Sequence, residues 1–162
     1  MGINIRQKGA EGERQVAKAL NGELLDVLTR QDWSAEAVKA CQNCIQRNQN
    51  QSAVGGNDLN NVFGLGIEIK RQEELSVNSW WSQCVQGASR NNEFPVLVYR
   101  QNHGAWRVVM YASLPLPRYN EGAGSAPFDS MTARVTLDWG DFLRWFGLWV
   151  ERKLANGEYP RV

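Results

Sequence analysis

The chain has 162 residues, 43% of them hydrophobic and 22% charged, with a formal net charge of +1. That length and balance describe a single soluble domain able to bury its own core, and the near-zero charge withholds any argument for nucleic acid from bulk electrostatics. No apolar run approaches the ~20 residues of a membrane span, and the opening Met-Gly-Ile-Asn-Ile-Arg-Gln-Lys lacks a signal-peptide core, so the cytoplasm is the expected compartment and no membrane partner is expected.

Lys8 to about Leu28 reads as a helix. Val16, Ala17, Leu20, Leu24, Leu25 and Leu28 form its apolar stripe, and Asn21-Gly22 is a point where it could break. Glu13 lies in the first turns beside Arg14. Taken alone, such a glutamate is an ordinary solvated residue favoured by the helix dipole. Arg6, Lys8, Arg14 and Lys18 crowd the same end of the chain. Ser34 to about Cys41 is a second, shorter helix with Ser34 as its cap. Cys41-Gln-Asn-Cys44 has the spacing of half a zinc site, but Cys84 stands alone and His103 is the single histidine, so neither zinc nor a disulfide framework is expected. Asn43 to Ser52 is rich in Asn and Gln and reads either as a strand followed by a loop or as a loop alone.

The stretch from Gly55 to Lys70 carries the densest chemistry. Gly55-Gly56 permits a sharp turn and a close backbone approach, and Asp58 follows. Leu65, Ile67 and Ile69 alternate with Gly66, Glu68 and Lys70, the period of a strand. Side chains two residues apart share a strand face, so Glu68 and Lys70 leave the sheet together while Ile67 and Ile69 enter the core. Asp58 is expected at the same sheet edge. Two carboxylates and an amine there suit a hard divalent cation beside a water to be deprotonated. The plainer alternative is a solvent-exposed Glu-Lys ion pair.

A helix is predicted from about Asn78, with Trp80, Cys84, Gly87 and Ala88 on one face and Gln83 close to it. Pro95 to Arg100 is a strongly apolar, central strand, paired with Trp106 to Tyr111 across a turn at Asn102-His103-Gly104. A histidine in that turn is a poor general base, which counts against a Ser-His-Asp or Cys-His mechanism. Leu114 to Pro127 reads as a Pro- and Gly-rich loop, and Ala133 to Leu137 as a short strand. Asp138 then caps a helix through about Leu154 whose Trp139, Phe142, Trp145, Phe146 and Trp149 leave it apolar around most of its circumference. Those aromatics serve either a buried core or a second subunit.

Lys8-Gly-Ala-x-x-Glu13-Arg14, Gly55-Gly-x-Asp58-Leu, Ile67-Glu68-Ile-Lys70, Pro95-Val-Leu-Val-Tyr99 and Trp106-Arg-Val108 together resemble the archaeal-type Holliday-junction resolvases of the PD-(D/E)xK nuclease superfamily. Ser79-Trp-Trp-x-Gln83 is similar to the glutamine-bearing helix of phage and exonuclease branches. The resemblance runs in matching order from Lys8 to Tyr111. It omits the helix of 34–41, the Asn/Gln tract and everything after about Ala112, and Asn57 stands where the superfamily's proline would be.

The resemblance implies an α/β, restriction-endonuclease-like fold: a mixed central sheet flanked by helices, with the C-terminal helix as an addition, all in one domain. It implies Mg²⁺ or Mn²⁺ held by Asp58, Glu68, the Ile69 carbonyl and Glu13. Lys70 would orient and help deprotonate the attacking water, and Gln83 would position that water or Lys70. Arg6, Lys8, Arg14 and Arg71 are the candidate DNA phosphate contacts. The implied protein is a phage or prophage enzyme of the host cytoplasm that cuts branched DNA such as four-way junctions, and a symmetric homodimer is the expected assembly. The alternatives are a general or exonucleolytic nuclease of the same superfamily, or a DNA-binding module that keeps the fold without cutting.

Overall fold

The alternating run after Gly64 forms strand β3 (Leu65–Gln72), and the rest of the chain is laid around it. Before it come α1 (Ile5–Arg30), α2 (Ala35–Ala40) and two short strands, β1 (Gln46–Arg47) and β2 (Leu59–Asn60). After it come α3 (Val77–Arg90), β4 (Phe94–Gln101), β5 (Arg107–Pro117), β6 (Phe128–Asp138) and α4 (Trp139–Ala155). The computed structural model describes residues 5–49, 57–117 and 128–162, the side chains of 5, 6, 128 and 129 excepted. The Gly55-Gly56 turn, the end of the polar tract and residues 118–127 lie outside the described residues.

The main sheet has the order β3-β4-β5-β6. β3 and β4 are parallel, joined through α3, and the other pairs are antiparallel, so the sheet is mixed as expected. On one face Ile67, Ile69, Val96, Val98, Val108 and Met110 meet Val16, Leu20 and Leu24 of α1 and Phe142, Phe146 and Val150 of α4. On the other, Leu97 and Val109 meet Trp80, Trp81 and Cys84 of α3. Helices therefore cover both faces, as a parallel pair requires. β1 and β2 form a separate antiparallel ribbon. Both predicted caps are present: Ser34 Oγ accepts the Ala37 N–H at 3.2 Å, and Asp138 Oδ1 accepts the Asp141 N–H at 2.9 Å.

Two open alternatives are decided and one local reading changes. α1 runs unbroken through Asn21-Gly22 because the buried Asn21 side chain is a tertiary clasp, donating to the Ile45 carbonyl at 2.8 Å and accepting the Ile45 N–H at 3.0 Å. The polar tract contributes a strand, β1, of only two residues. Leu114 to Pro117 are strand rather than loop, and β6 begins at Phe128 rather than Ala133. β5 outruns β4 beyond Met110, so Pro115 and Pro117 fall where only β6 pairs with it, and proline's missing N–H is tolerated in such an edge-like stretch.

The tryptophans of α4, each partly exposed, have aromatic partners within the chain. Trp145 and Trp149 lie 6.2 and 6.0 Å from the Phe94 ring, centroid to centroid, and the Trp149 indole N–H donates to the Phe63 carbonyl at 3.0 Å. Trp139 lies 6.2 Å from Trp106. Leu148, 59% exposed, is the large apolar side chain that α4 leaves outside. Among the described residues no helix is long and apolar enough to cross a membrane.

β3 and α3 approach closely at Gly66, where an added Cβ would stand 2.7 Å from the Ala88 Cβ, 3.0 Å from the Ala88 Cα and 2.9 Å from Asn57 Nδ2. One of these neighbours is helix backbone, so relief requires α3 to move. Gly66→Ala is expected to destabilise the fold by about 1–3 kcal/mol through overpacking, read as a lower melting temperature. Ala88→Gly in the same chain should recover part of the loss.

Candidate active site

β3 is an edge strand, and Asp58 closes its open edge. The Asp58 N–H donates to the Ile67 carbonyl at 2.9 Å, and Asp58 Oδ2 accepts the Ile69 N–H at 2.5 Å. On its far side the Asp58 carbonyl accepts the Asn48 N–H at 2.8 Å. Held between two stretches of backbone, Asp58 is 5% exposed. Glu68 and Lys70 leave β3 on the α3 side, and Lys70 Nζ stands 2.7 Å from Glu68 Oε1. Glu13 reaches the site from α1, its Oε2 accepting from Arg47 Nε at 2.5 Å. Arg47 pairs with Leu59 across the ribbon, next to Asp58 in the chain.

The electrostatics follow from this packing. Burial, and then the Glu68 carboxylate, push the Asp58 pKa up to about 8, with Glu13 adding to the rise; the Ile69 amide and the Lys70 ammonium pull the other way. Cys84, beneath the site, donates through Sγ to the Gly66 carbonyl at 3.7 Å, and burial pushes its thiol up to about 12. It is a packing residue, not a nucleophile.

Among the described residues no three acid, histidine or cysteine side chains are gathered closely enough to hold an ion as they stand. Each outer carboxylate is engaged by a cation, Glu13 by Arg47 and Glu68 by Lys70. The donor set nonetheless fits a hard divalent cation: all are oxygen donors, and the central carboxylate is buried in the field of two others, an arrangement that a cation relieves.

The other predicted residues divide. Gln83 is exposed on α3. Ile69 meets Asp58 through its N–H, where the resemblance implied its carbonyl would serve a metal. Lys8 pairs with Glu73 at 3.5 Å and Arg14 with Glu11 at 3.5 Å. Arg71 follows Lys70 but faces α1, and the Arg6 side chain lies outside the described residues. Sequence reading missed Arg47, although it is the single charge between Cys44 and Ser52. It also missed the part played by Asn57, which is buried in the superfamily's proline position. The Asn57 carbonyl accepts from Asn48 Nδ2 at 3.0 Å and its amide donates to Glu93, tying the site to the α3–β4 corner. A cleft of about 590 Å³ opens beside the site, lined among others by Arg14, Lys18, Asn43, Gln46 and Arg47.

Residues 4–134 match the family described as "Phage putative PDDEXK endonuclease". The chain is also similar to Protein D14 of Escherichia phage T5, with 27% identity over 60 residues, or 37% of this chain and 33% of that protein. The match thus spans about a third of that relative's length. No solved structure gives a significant match.

In the metal-free protein Asp58 keeps its proton to about pH 8, whereas an unfolded aspartate releases it near 3.8. Between these values the folded state binds more protons, so stability falls as pH rises through the window. Melting in chelator from about pH 5 to about pH 8 should show this decline, with a shallower slope in Asp58→Asn. An unchanged slope in the variant would assign the titration to another group.

Proposed function

The chain belongs to the family of phage PDDEXK endonucleases, and we propose from that membership that it hydrolyses DNA phosphodiester bonds with Mg²⁺ or Mn²⁺, and from its ordered motifs that it cuts branched DNA such as four-way junctions. PDDEXK nucleases generally use divalent metal ions. The observation that carries the proposal is the buried Asp58, locked to the edge of β3 and within the fields of Glu68, Glu13 and Lys70. In this reading Asp58, Glu68 and Glu13 hold the ion, with the Ile69 carbonyl as a further ligand. Once bound, the ion lowers the pKa of water and neutralises charge developing on the scissile phosphate.

The protein's own groups do the rest. Lys70, held by Glu68, orients the attacking water by donating a hydrogen bond to it, steadies the negative charge that grows on its oxygen as its proton passes to solvent, and counters charge on the pentavalent phosphorus. With Glu13 turned to the ion, Arg47 would lose its carboxylate partner and its guanidinium would be available to a backbone phosphate. The cleft bordered by Arg14, Lys18 and Arg47 suits a DNA backbone, since cations and neutral amides line it and phosphate contacts need no base recognition. Gln83, exposed on α3, is proposed to meet the water or Lys70 once DNA is bound.

The junction preference rests on the ordered motifs from Lys8 to Tyr111. Cutting two strands related by two-fold symmetry calls for a homodimer. The test is cleavage of a synthetic four-way junction and a matched linear duplex, with Mg²⁺ or Mn²⁺. Paired symmetrical nicks in the junction alone are expected, and Lys70→Ala should slow them about a hundredfold or more. Equal cutting of both substrates would keep the site and reject the junction preference. Cutting that survives Lys70→Ala would reject the assigned site.

A further inference from the structure

Arg71 and Arg100 are register partners on the parallel strands β3 and β4, so their side chains leave the same face about 4.8 Å apart at the backbone. That face is the α1 side, opposite Glu68 and Lys70. The position of a Gly12 Cβ would lie 3.7 Å from the Arg71 Cβ, and Gln15 Oε1 accepts from Arg100 Nη2 at 3.0 Å. The Arg100 guanidinium lies 4.5 Å from the centre of the Trp106 ring. Two cations are thus brought together under α1, beneath Gly12 and Gln15, which lie on either side of Glu13 along the helix.

Among the described residues neither arginine has a carboxylate at ion-pair distance, and the Nε of each is buried without a hydrogen-bond partner. Glu11, the acid whose field reaches Arg100, is itself bonded to Arg14 and Gln15. Burial and the neighbouring Arg71 both lower the Arg100 pKa. Like charges held side by side, with buried donors unmet, are costly unless an anion joins them. The guanidinium fork matches a phosphate's oxygens, and Arg100 is already braced by Trp106 and Gln15 to present it.

We propose that Arg71 and Arg100 form a clamp for a non-scissile backbone phosphate of the DNA strand entering the site past α1. The inference rests on the nuclease reading and adds a binding site on the opposite face of β3 from Lys70.

The test uses the full chain carrying Glu68→Gln to prevent cutting, with fluorescence anisotropy of a labelled junction across a series of salt concentrations. Arg71→Gln should weaken binding about tenfold and reduce the slope of log affinity against log salt by about one. Arg100→Gln should do the same, and Arg90→Gln at the far end of α3 should change neither. Melting without DNA separates a structural role. Among the described residues Arg71 has no hydrogen-bond or ion-pair partner to lose, so Arg71→Gln should melt at or above the parent's temperature. A lower melting temperature that accompanies the loss of binding would make Arg71 a structural residue and overturn the clamp. Parental affinity and slope in Arg71→Gln, with the parent binding DNA, would overturn the clamp and leave the nuclease reading intact. A parent that binds no DNA even at low salt would overturn both.

Discussion

An acid that gives both its main-chain N–H and its carboxylate to the edge of a strand cannot move without opening that edge. Asp58 is bound in this way, to Ile67 and Ile69 at once. The two bonds fix the carboxylate against the strand that carries Glu68 and Lys70, so three ionisable groups take their relative positions from one piece of backbone. Geometry and electrostatics then oppose each other. The Ile69 amide favours the ionised carboxylate, while burial and two neighbouring acids disfavour it more strongly. A site built this way is held in place before any ligand arrives, and its central acid stays protonated until a cation takes the proton's place. That combination is what preorganised stabilisation of a charged transition state requires.

Around Asp58 the packing is arranged to leave room for backbone. Gly66 lets α3 approach β3, and Gly87 accommodates Asn57, whose Oδ1 would lie 3.1 Å from an added Cβ. Asn57 takes the place of the superfamily's proline and does by hydrogen bonding what a fixed ring would do by stiffness, tying the start of the motif to Glu93 and Asn48. The outer acids are restrained differently. Glu68 is held by its strand neighbour Lys70, and Glu13 by Arg47 on a separate ribbon. One carboxylate is therefore set by local geometry and the other by tertiary docking.

What could be read from the sequence follows the same division. The alternation at Leu65–Lys70, the apolar run at Pro95–Arg100 and the caps at Ser34 and Asp138 are local signals, and each lies where it was read. Asp58, Glu68 and Lys70 were legible because two-residue periodicity places the last two on one strand face and the Gly-Gly-x-Asp motif suggested Asp58 at that edge, where its bonds to Ile67 and Ile69 hold it. Arg47 was not, because its partner lies 34 residues away and nothing in a polar tract marks one arginine as special. Arg100 likewise acquires meaning only through its register with Arg71, which depends on a parallel pairing across a helix. The prolines of β5 misled because strand propensity penalises them regardless of position, whereas tertiary structure had left one edge of that strand unpaired beyond Met110. The aromatic C-terminal helix left core and second subunit both open. Phe94, at the start of β4, packs against two of its tryptophans, whose outer faces stay partly exposed beside Leu148.

The spacing of these contacts along the chain has a kinetic corollary. The Asp58–Ile69 lock closes a loop of 11 residues, the Glu13–Arg47 pair one of 34, and the Arg100–Gln15 bond one of 85. Loop closure costs more entropy as the loop lengthens, and contacts distant in sequence delay folding. The half of the site containing Asp58, Glu68 and Lys70 is thus closed by nearly local contacts and costs the least loop entropy to assemble. The half contributed by α1 has to wait for a helix synthesised earlier to find its place on a sheet completed later.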